Sequence, residues 1–178
     1  MMSEAEFFAG IIGSDNDLAQ LARALQTTGV PFCLIGGLAV NHYVEPVVTL
    51  DADFAITAST GVQEALEKAG FVVELFPHSL NAIQPGSRLR IQITINSRYG
   101  SFPARAVPGE IFGVRLPVAS LPDVVQGKLW AATDTTRRSS KRAKDEADLL
   151  RLCESHPQCL ALIPQGLFAR IDELRTTR

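Results

Sequence analysis

FCLIGGLAVNHYVEPVVTLDADFAI, Phe32 to Ile56, is the stretch on which the reading of this chain turns. Phe32-Cys33-Leu34-Ile35 is a continuous apolar run of the length of a buried strand. Gly36-Gly37 breaks it, and Leu38-Ala39-Val40-Asn41-His42-Tyr43 reads as a short helix. Glu45-Pro46 forces a turn, because the residue before a proline is steered away from helix. Thr49 to Ile56 reads as a second strand, with Asp51 and Asp53 two positions apart. On a strand that spacing puts both carboxylates on one face. Their Cα atoms are then about 6.6 Å apart, at about 3.3 Å per residue, close enough for both carboxylates to reach one cation.

The chemistry that fits is that of a hard metal and a phosphate. Magnesium is commonly held by one or two carboxylates together with substrate phosphates and water. Gly36-Gly37, between strand and helix, offers bare backbone N–H groups at a helix start, where anions bind. Taken singly, a Gly-Gly is an ordinary tight turn and an Asp-x-Asp an ordinary solvated strand edge. Together, Gly-Gly-Leu-Ala followed by Pro-x-x-Thr-x-Asp-x-Asp-Phe resembles the signature of the DNA polymerase beta-type nucleotidyltransferase superfamily. Within it, the pattern looks most like the AbiEii-type toxins and the small nucleotidyltransferase-like proteins near them.

The resemblance runs from about Gly29 to Leu152, and it implies a set of residues. Gly36 and Gly37 would cradle nucleotide phosphates, and Asp51 and Asp53 would hold Mg2+ or Mn2+. Lys128, in Gln-Gly-Lys-Leu-Trp-Ala-Ala, is similar to the family's helix lysine that reaches the phosphates. Without the resemblance, Lys128 is a lysine snorkelling from an apolar helix face. Lys144-Asp145 matches a Lys-Asp step whose aspartate is functional in the family, with Asp148 as the neighbouring alternative.

Three departures qualify the match. A third carboxylate belongs on a later strand, and the matching position here is Gln92, which carries no charge and takes no proton near neutral pH. Glu74 is a substitute base to consider. Val47-Val48 stands where relatives often carry an arginine, and Leu38 stands where a hydroxyl residue would touch phosphate.

Around this stretch the chain is ordinary. Its 178 residues suit one domain that needs no disulfide staples. A net charge of −2 leaves nucleic-acid contact to a local basic patch. Cys33, Cys153 and Cys159 are odd in number and scattered, as in a reducing compartment. With neither a basic-then-apolar leader nor an apolar run of about 18 residues, the chain reads as cytoplasmic and not membrane-bound.

In order, residues 1–12 form an apolar lead-in, and Ser14 or Asp15 can cap a helix carrying Leu18, Leu21, Ala22 and Leu25 on one face. Gly29 ends it. After the Asp pair come a helix to Lys68, strands at 71–76 and 80–84, and an alternating strand, Leu89 to Ile95, with Arg90, Gln92 and Thr94 on its polar face. A helix broken by Pro103, an edge hairpin over 110–117, and helices over about 120–134 and 139–154 follow. Arg137, Arg138, Lys141, Arg142 and Lys144 make a basic stretch, with Lys141–Asp145 and Lys144–Asp148 as i, i+4 pairs. The same stretch is a candidate RNA-backbone surface. A last amphipathic helix carries Leu167, Phe168, Ile171 and Leu174.

The expectation is an α/β (α+β) fold, a mixed sheet flanked by helices. Residues 1–118 form the nucleotidyltransferase-like core, and 119–178 a helical segment packed on it as one compact unit. The implied reaction moves a nucleoside monophosphate from a nucleoside triphosphate to an acceptor hydroxyl, with RNA, protein or a small molecule as acceptor and a cognate antitoxin as a possible partner. Two other classes stand beside it: a weakened nucleotide- or RNA-binding relative, favoured by Gln92, and a purely structural module with the Asp pair idle.

Overall fold

The computed structural model describes residues 17–176. The apolar lead-in and the caps expected at Ser14 or Asp15 lie outside the described residues. Seven strands form one mixed sheet in the order β3-β4-β5-β2-β1-β7-β6. The strands are β1 (Phe32–Ile35), β2 (Asp51–Ile56), β3 (Val72–Phe76), β4 (Ser79–Ile83), β5 (Arg90–Thr94), β6 (Val107–Ile111) and β7 (Val114–Val118). The helices are α1 (Asp17–Thr28), α2 (Gly36–Tyr43), α3 (Val62–Lys68), α4 (Leu121–Thr133), α5 (Ser139–Ser155) and α6 (Gln165–Thr176).

The Phe32–Ile56 stretch forms the centre of the sheet. β1 and β2 pair antiparallel, with Ile35 opposite Asp53 and Leu34 opposite Phe54. β2 then pairs parallel with β5, and β1 parallel with β7. The 3.6-residue apolar stripe of α1 buries Leu18, Leu21 and Leu25. Phe54, Ile91, Ile93 and Leu80 share one sheet face and are almost fully buried. Each such side chain is worth roughly 1.5–3 kcal/mol against exposure. The packed pair α1 and α3 closes that face.

The other face is covered unevenly. α2, α4 and α5 pack on one another over β1 and β2. No described helix covers β5, β4 and β3 there: Arg90, Gln92, Ile83, Val72, Glu74 and Phe76 are exposed. The catalytic candidates lie where the helical cover stops.

Local expectations differ from the structure in two places. Pro103 starts a short 3-10 turn, Pro103–Arg105, and Ser97–Tyr99 forms another, so residues 99–107 hold no α-helix. The hairpin expected over 110–117 starts earlier, at Val107, and β6 is the sheet edge. No described helix is long and apolar enough to cross a membrane.

Candidate active site

The site grows from the junction of β1 and α2. Gly36, the first residue of α2, has φ +69°, a left-handed conformation that L side chains rarely adopt. A β-carbon there would lie 2.1 Å from Asp53 Oδ2. Glycine is therefore required twice, by its backbone angle and by the carboxylate pressed against it. Gly37 faces elsewhere, with Thr49 as its neighbour; a β-carbon on it would make an ordinary 3.6 Å contact with Thr49 Oγ1. Thr49 is buried and accepts from the Asp51 N–H at 3.3 Å, shaping the start of β2.

Asp51 and Asp53 share a strand face, and the register names their neighbours. Arg90 stands beside Asp51 and Gln92 beside Asp53 across the parallel β2–β5 pair. Arg90 lies 2.8 Å from Asp51 Oδ1 and Lys141 of α5 lies 3.7 Å from Asp51 Oδ2. Both oxygens of Asp51 thus have cationic neighbours, in a partly exposed pair that contributes little to stability. Asp53 differs. Burial pushes its carboxyl up to about 6; Lys128 pulls it back and the Asp51 charge pushes it further up.

Lys128 lies between α4 and α5 rather than free in the cleft. Its Nζ is 2.8 Å from Asp145 Oδ1 and 2.6 Å from Asp148 Oδ2, and all three residues are buried. Burial alone would lower the Lys128 pKa, but Asp148 and Asp145 together hold the ammonium above its usual value. Arg137 adds a contact to Asp145 at 3.0 Å and Arg151 one to Asp148 at 2.8 Å. Arg151 continues to the Glu45 carbonyl and the Asn41 side chain. Asn41 in turn holds both backbone groups of Val47. One polar chain thus ties the cleft to the turn that leads into β2.

This overturns the helix-surface pairs expected of α5. Asp145 and Asp148, three apart, both face inward, so neither is available to Lys141 or Lys144. Arg137 and Lys141 are turned to Asp145 and Asp51, which removes two cations from the candidate RNA surface. Glu74 is also misplaced for a base. It stands on β3, three strands from β2, about 14 Å from Asp53 at about 4.8 Å per strand.

A cleft of about 240 Å3 is lined by Gly36, Asp53, Gln92, Lys128, Arg137 and Asp145. Tyr99 and Phe102, edge-to-face at 5.2 Å, form an aromatic wall of the same cleft. Sequence reading missed these two. Their only signal was two aromatics in a short loop directly after the Gln92 strand. A wider open groove of about 740 Å3 lies between α1 and α3, away from Asp53.

The donor set fits a hard cation in one way. No three His, Cys, Asp or Glu side chains gather to form a metal cage among the described residues. Two carboxylates on one strand face, one of them half-buried with its carboxyl pushed up by desolvation, are the kind of donors that magnesium shares with substrate phosphates.

No protein-family model and no curated protein matches the sequence. Solved structures do match in fold. The antibiotic-resistance factor ANT(2'')-Ia, in complex with adenylyl-2''-tobramycin, superimposes with a TM-score of 0.59 at 16% identity over 88% of this chain and 95% of that one. JHP933 from Helicobacter pylori gives 0.57 at 16% identity, over 98% and 75%. The lincosamide antibiotic adenylyltransferase LnuA, lincomycin-bound, gives 0.52 at 14% identity, over 77% and 96%. The chain shares the fold of these three proteins.

Proposed function

We propose that this protein transfers a nucleoside monophosphate from a nucleoside triphosphate to a hydroxyl group. The observation that carries the reading is Asp53: a carboxylate with raised proton affinity, beside Asp51, pressed against a glycine at a helix start. Nothing in packing calls for a charge there, and Asn would fit the same space. The fold likeness to ANT(2'')-Ia and LnuA supports the same class of reaction.

Asp51 and Asp53 would hold Mg2+, which would supply positive charge against the charge that develops on the phosphates. Gly36 and Gly37 present backbone N–H groups to the phosphates. Lys128 supplies positive potential from the cleft wall while Asp145 and Asp148 hold it in place. Asp145 so acts by positioning Lys128 and Arg137. The acceptor oxygen forms a bond to the α-phosphorus as the bond to the bridging oxygen breaks, and pyrophosphate leaves with that electron pair. The acceptor proton passes to water.

The acceptors named with the matching structures, tobramycin and lincomycin, support a small hydroxylated molecule over RNA here. The inward-turned Arg137 and Lys141 point the same way. The AbiEii-like signature adds a protein antitoxin as a partner to test by co-purification. The direct assay incubates the protein with α-labelled nucleoside triphosphates, Mg2+ and separate small-molecule, RNA and protein fractions. Label retained in one fraction by the unmodified protein and not by Asp53→Asn is expected; no pyrophosphate release under any condition would reject the proposal.

A further inference from the structure

The open sheet face beside the Asp pair carries a row that packing does not use. Asp53, Gln92, Asn81 and Glu74 stand opposite one another across β2, β5, β4 and β3. Directly opposed residues share a face. The row is therefore straight and runs about 14 Å, three strand spacings of about 4.8 Å. None of the last three side chains has a hydrogen-bond or ion-pair partner among the described residues. Asn81 Oδ1 is buried and unpaired. Polar atoms so placed usually find a partner in the protein or in what it binds.

The flanks add character. Val72 and Phe76 lie two residues to either side of Glu74 on its strand, so they share its face, and both are exposed. A carboxylate framed by apolar groups suits an ammonium on a carbon skeleton. The amides of Gln92 and Asn81 both donate and accept, as hydroxyl groups require. The row holds carboxylates at both ends and no cation, so an RNA backbone would be repelled along it.

We infer that this row is the acceptor subsite, and that it takes a small polyhydroxylated molecule bearing an ammonium group. The inference rests on the nucleotidyl-transfer reading. The reacting hydroxyl sits at Asp53, further hydroxyls lie along Gln92 and Asn81, and the ammonium pairs with Glu74. Glu74 so gains a role in acceptor specificity, not in proton transfer.

The test uses the full chain with Mg2+ and α,β-methylene-ATP, titrated by calorimetry with three probes. These are a fully deacetylated glucosamine trisaccharide, its N-acetylated counterpart, and a short single-stranded RNA. The deacetylated sugar should bind at least about tenfold more tightly than the acetylated one, and Glu74→Gln should erase that preference. Glu74 is exposed on an edge strand, so the variant should fold; analogue binding and the unfolding midpoint check this. Asn81→Leu should weaken both sugars alike. Equal binding of the two sugars, a preference that survives Glu74→Gln, or RNA competing with the sugar would each overturn the subsite. A protein that binds no analogue at all overturns the nucleotidyl-transfer reading and the subsite with it. Analogue binding without sugar discrimination overturns the subsite alone.

Discussion

A β-carbon on Gly36 would lie 2.1 Å from Asp53 Oδ2, closer than any real contact allows. The helix start and the carboxylate are thus fitted to one another. Gly36→Ala must bend the backbone out of its left-handed angle, which costs about 1–2 kcal/mol, and also push Asp53 aside. We expect it to lose at least ~2 kcal/mol of stability and all nucleotide binding. Gly37→Ala, whose β-carbon meets only ordinary contacts, should unfold within about 0.5 kcal/mol of the unmodified protein. Urea titration of the pair decides it; equal stability for both alanines would mean that Asp53 can move away freely.

Asp53 should weaken the fold that it serves. Its pKa rises from 3.8 to about 6 on folding, chiefly through burial. Between those values the folded state binds more protons than the unfolded chain, so stability declines as pH rises through about 6. Asp53→Asn removes the buried charge. It should raise the melting temperature at pH 8 by about 2–4 °C, for an effect on the order of 1 kcal/mol in a chain of this size. Near pH 4 the gain should vanish, because the native carboxyl is already protonated there. Nucleotide binding with Mg2+ should fall as pH drops below about 6 in the unmodified protein. A gain that is the same at both pH values would place the cause in packing instead of charge.

Lys128 is a structural as well as an electrostatic element. Removing it leaves Asp145 and Asp148 buried with one arginine each. Breaking a buried pair from one side costs about 3–5 kcal/mol, and the remaining arginines argue for the lower end. Lys128→Met should therefore lower unfolding stability by about 3 kcal/mol in urea. Should it lose nucleotide affinity with less than about 1 kcal/mol of stability, its charge serves the phosphates and not the frame.

What was legible in the sequence is what local chain geometry dictates. The strand–Gly-Gly–helix step and the i, i+2 carboxylates sit on contiguous residues, so pattern alone places Gly36, Asp51 and Asp53 together. Gln92 was legible one step further out, because alternation fixes its face; that it stands beside Asp53 needed the parallel β2–β5 pairing. The partners of Lys128 were hidden. Its position on an apolar helix face was plain, but Asp145 and Asp148 become its counter-ions only through the packing of α4 on α5. Spacing rules offered those aspartates to Lys141 and Lys144, and burial overrode them. Glu74 failed as a base for a related reason: strand order along the sheet, which sets its distance from Asp53, is not written in any one segment.

Gln92 tests whether the site is built for fast turnover. It is exposed and stands directly beside Asp53 in the parallel register. Gln92→Asp adds a third carboxylate where a cation held by Asp51 and Asp53 is within reach. The added charge also repels Asp53, so without metal its pKa should climb above the present value of about 6. With Mg2+ the three charges share one counter-ion, and we expect affinity for the ion to rise at least about tenfold, about 1.4 kcal/mol. Transfer should rise with it, toward the 10²–10⁴-fold that general acid–base help typically contributes. Asp51→Asn should abolish Mg2+ binding in either background, although its side chain already has Arg90 and Lys141 as neighbours. Calorimetric Mg2+ titration, paired with single-turnover transfer, reads both quantities. Tighter metal without faster transfer would mean that Asp53 is already the working base and Gln92 an acceptor contact. That outcome agrees with an unpaired amide lying between Asp53 and Asn81. Unchanged affinity would mean that the cation sits on the Asp51 side of β2, beyond the reach of β5 at that register.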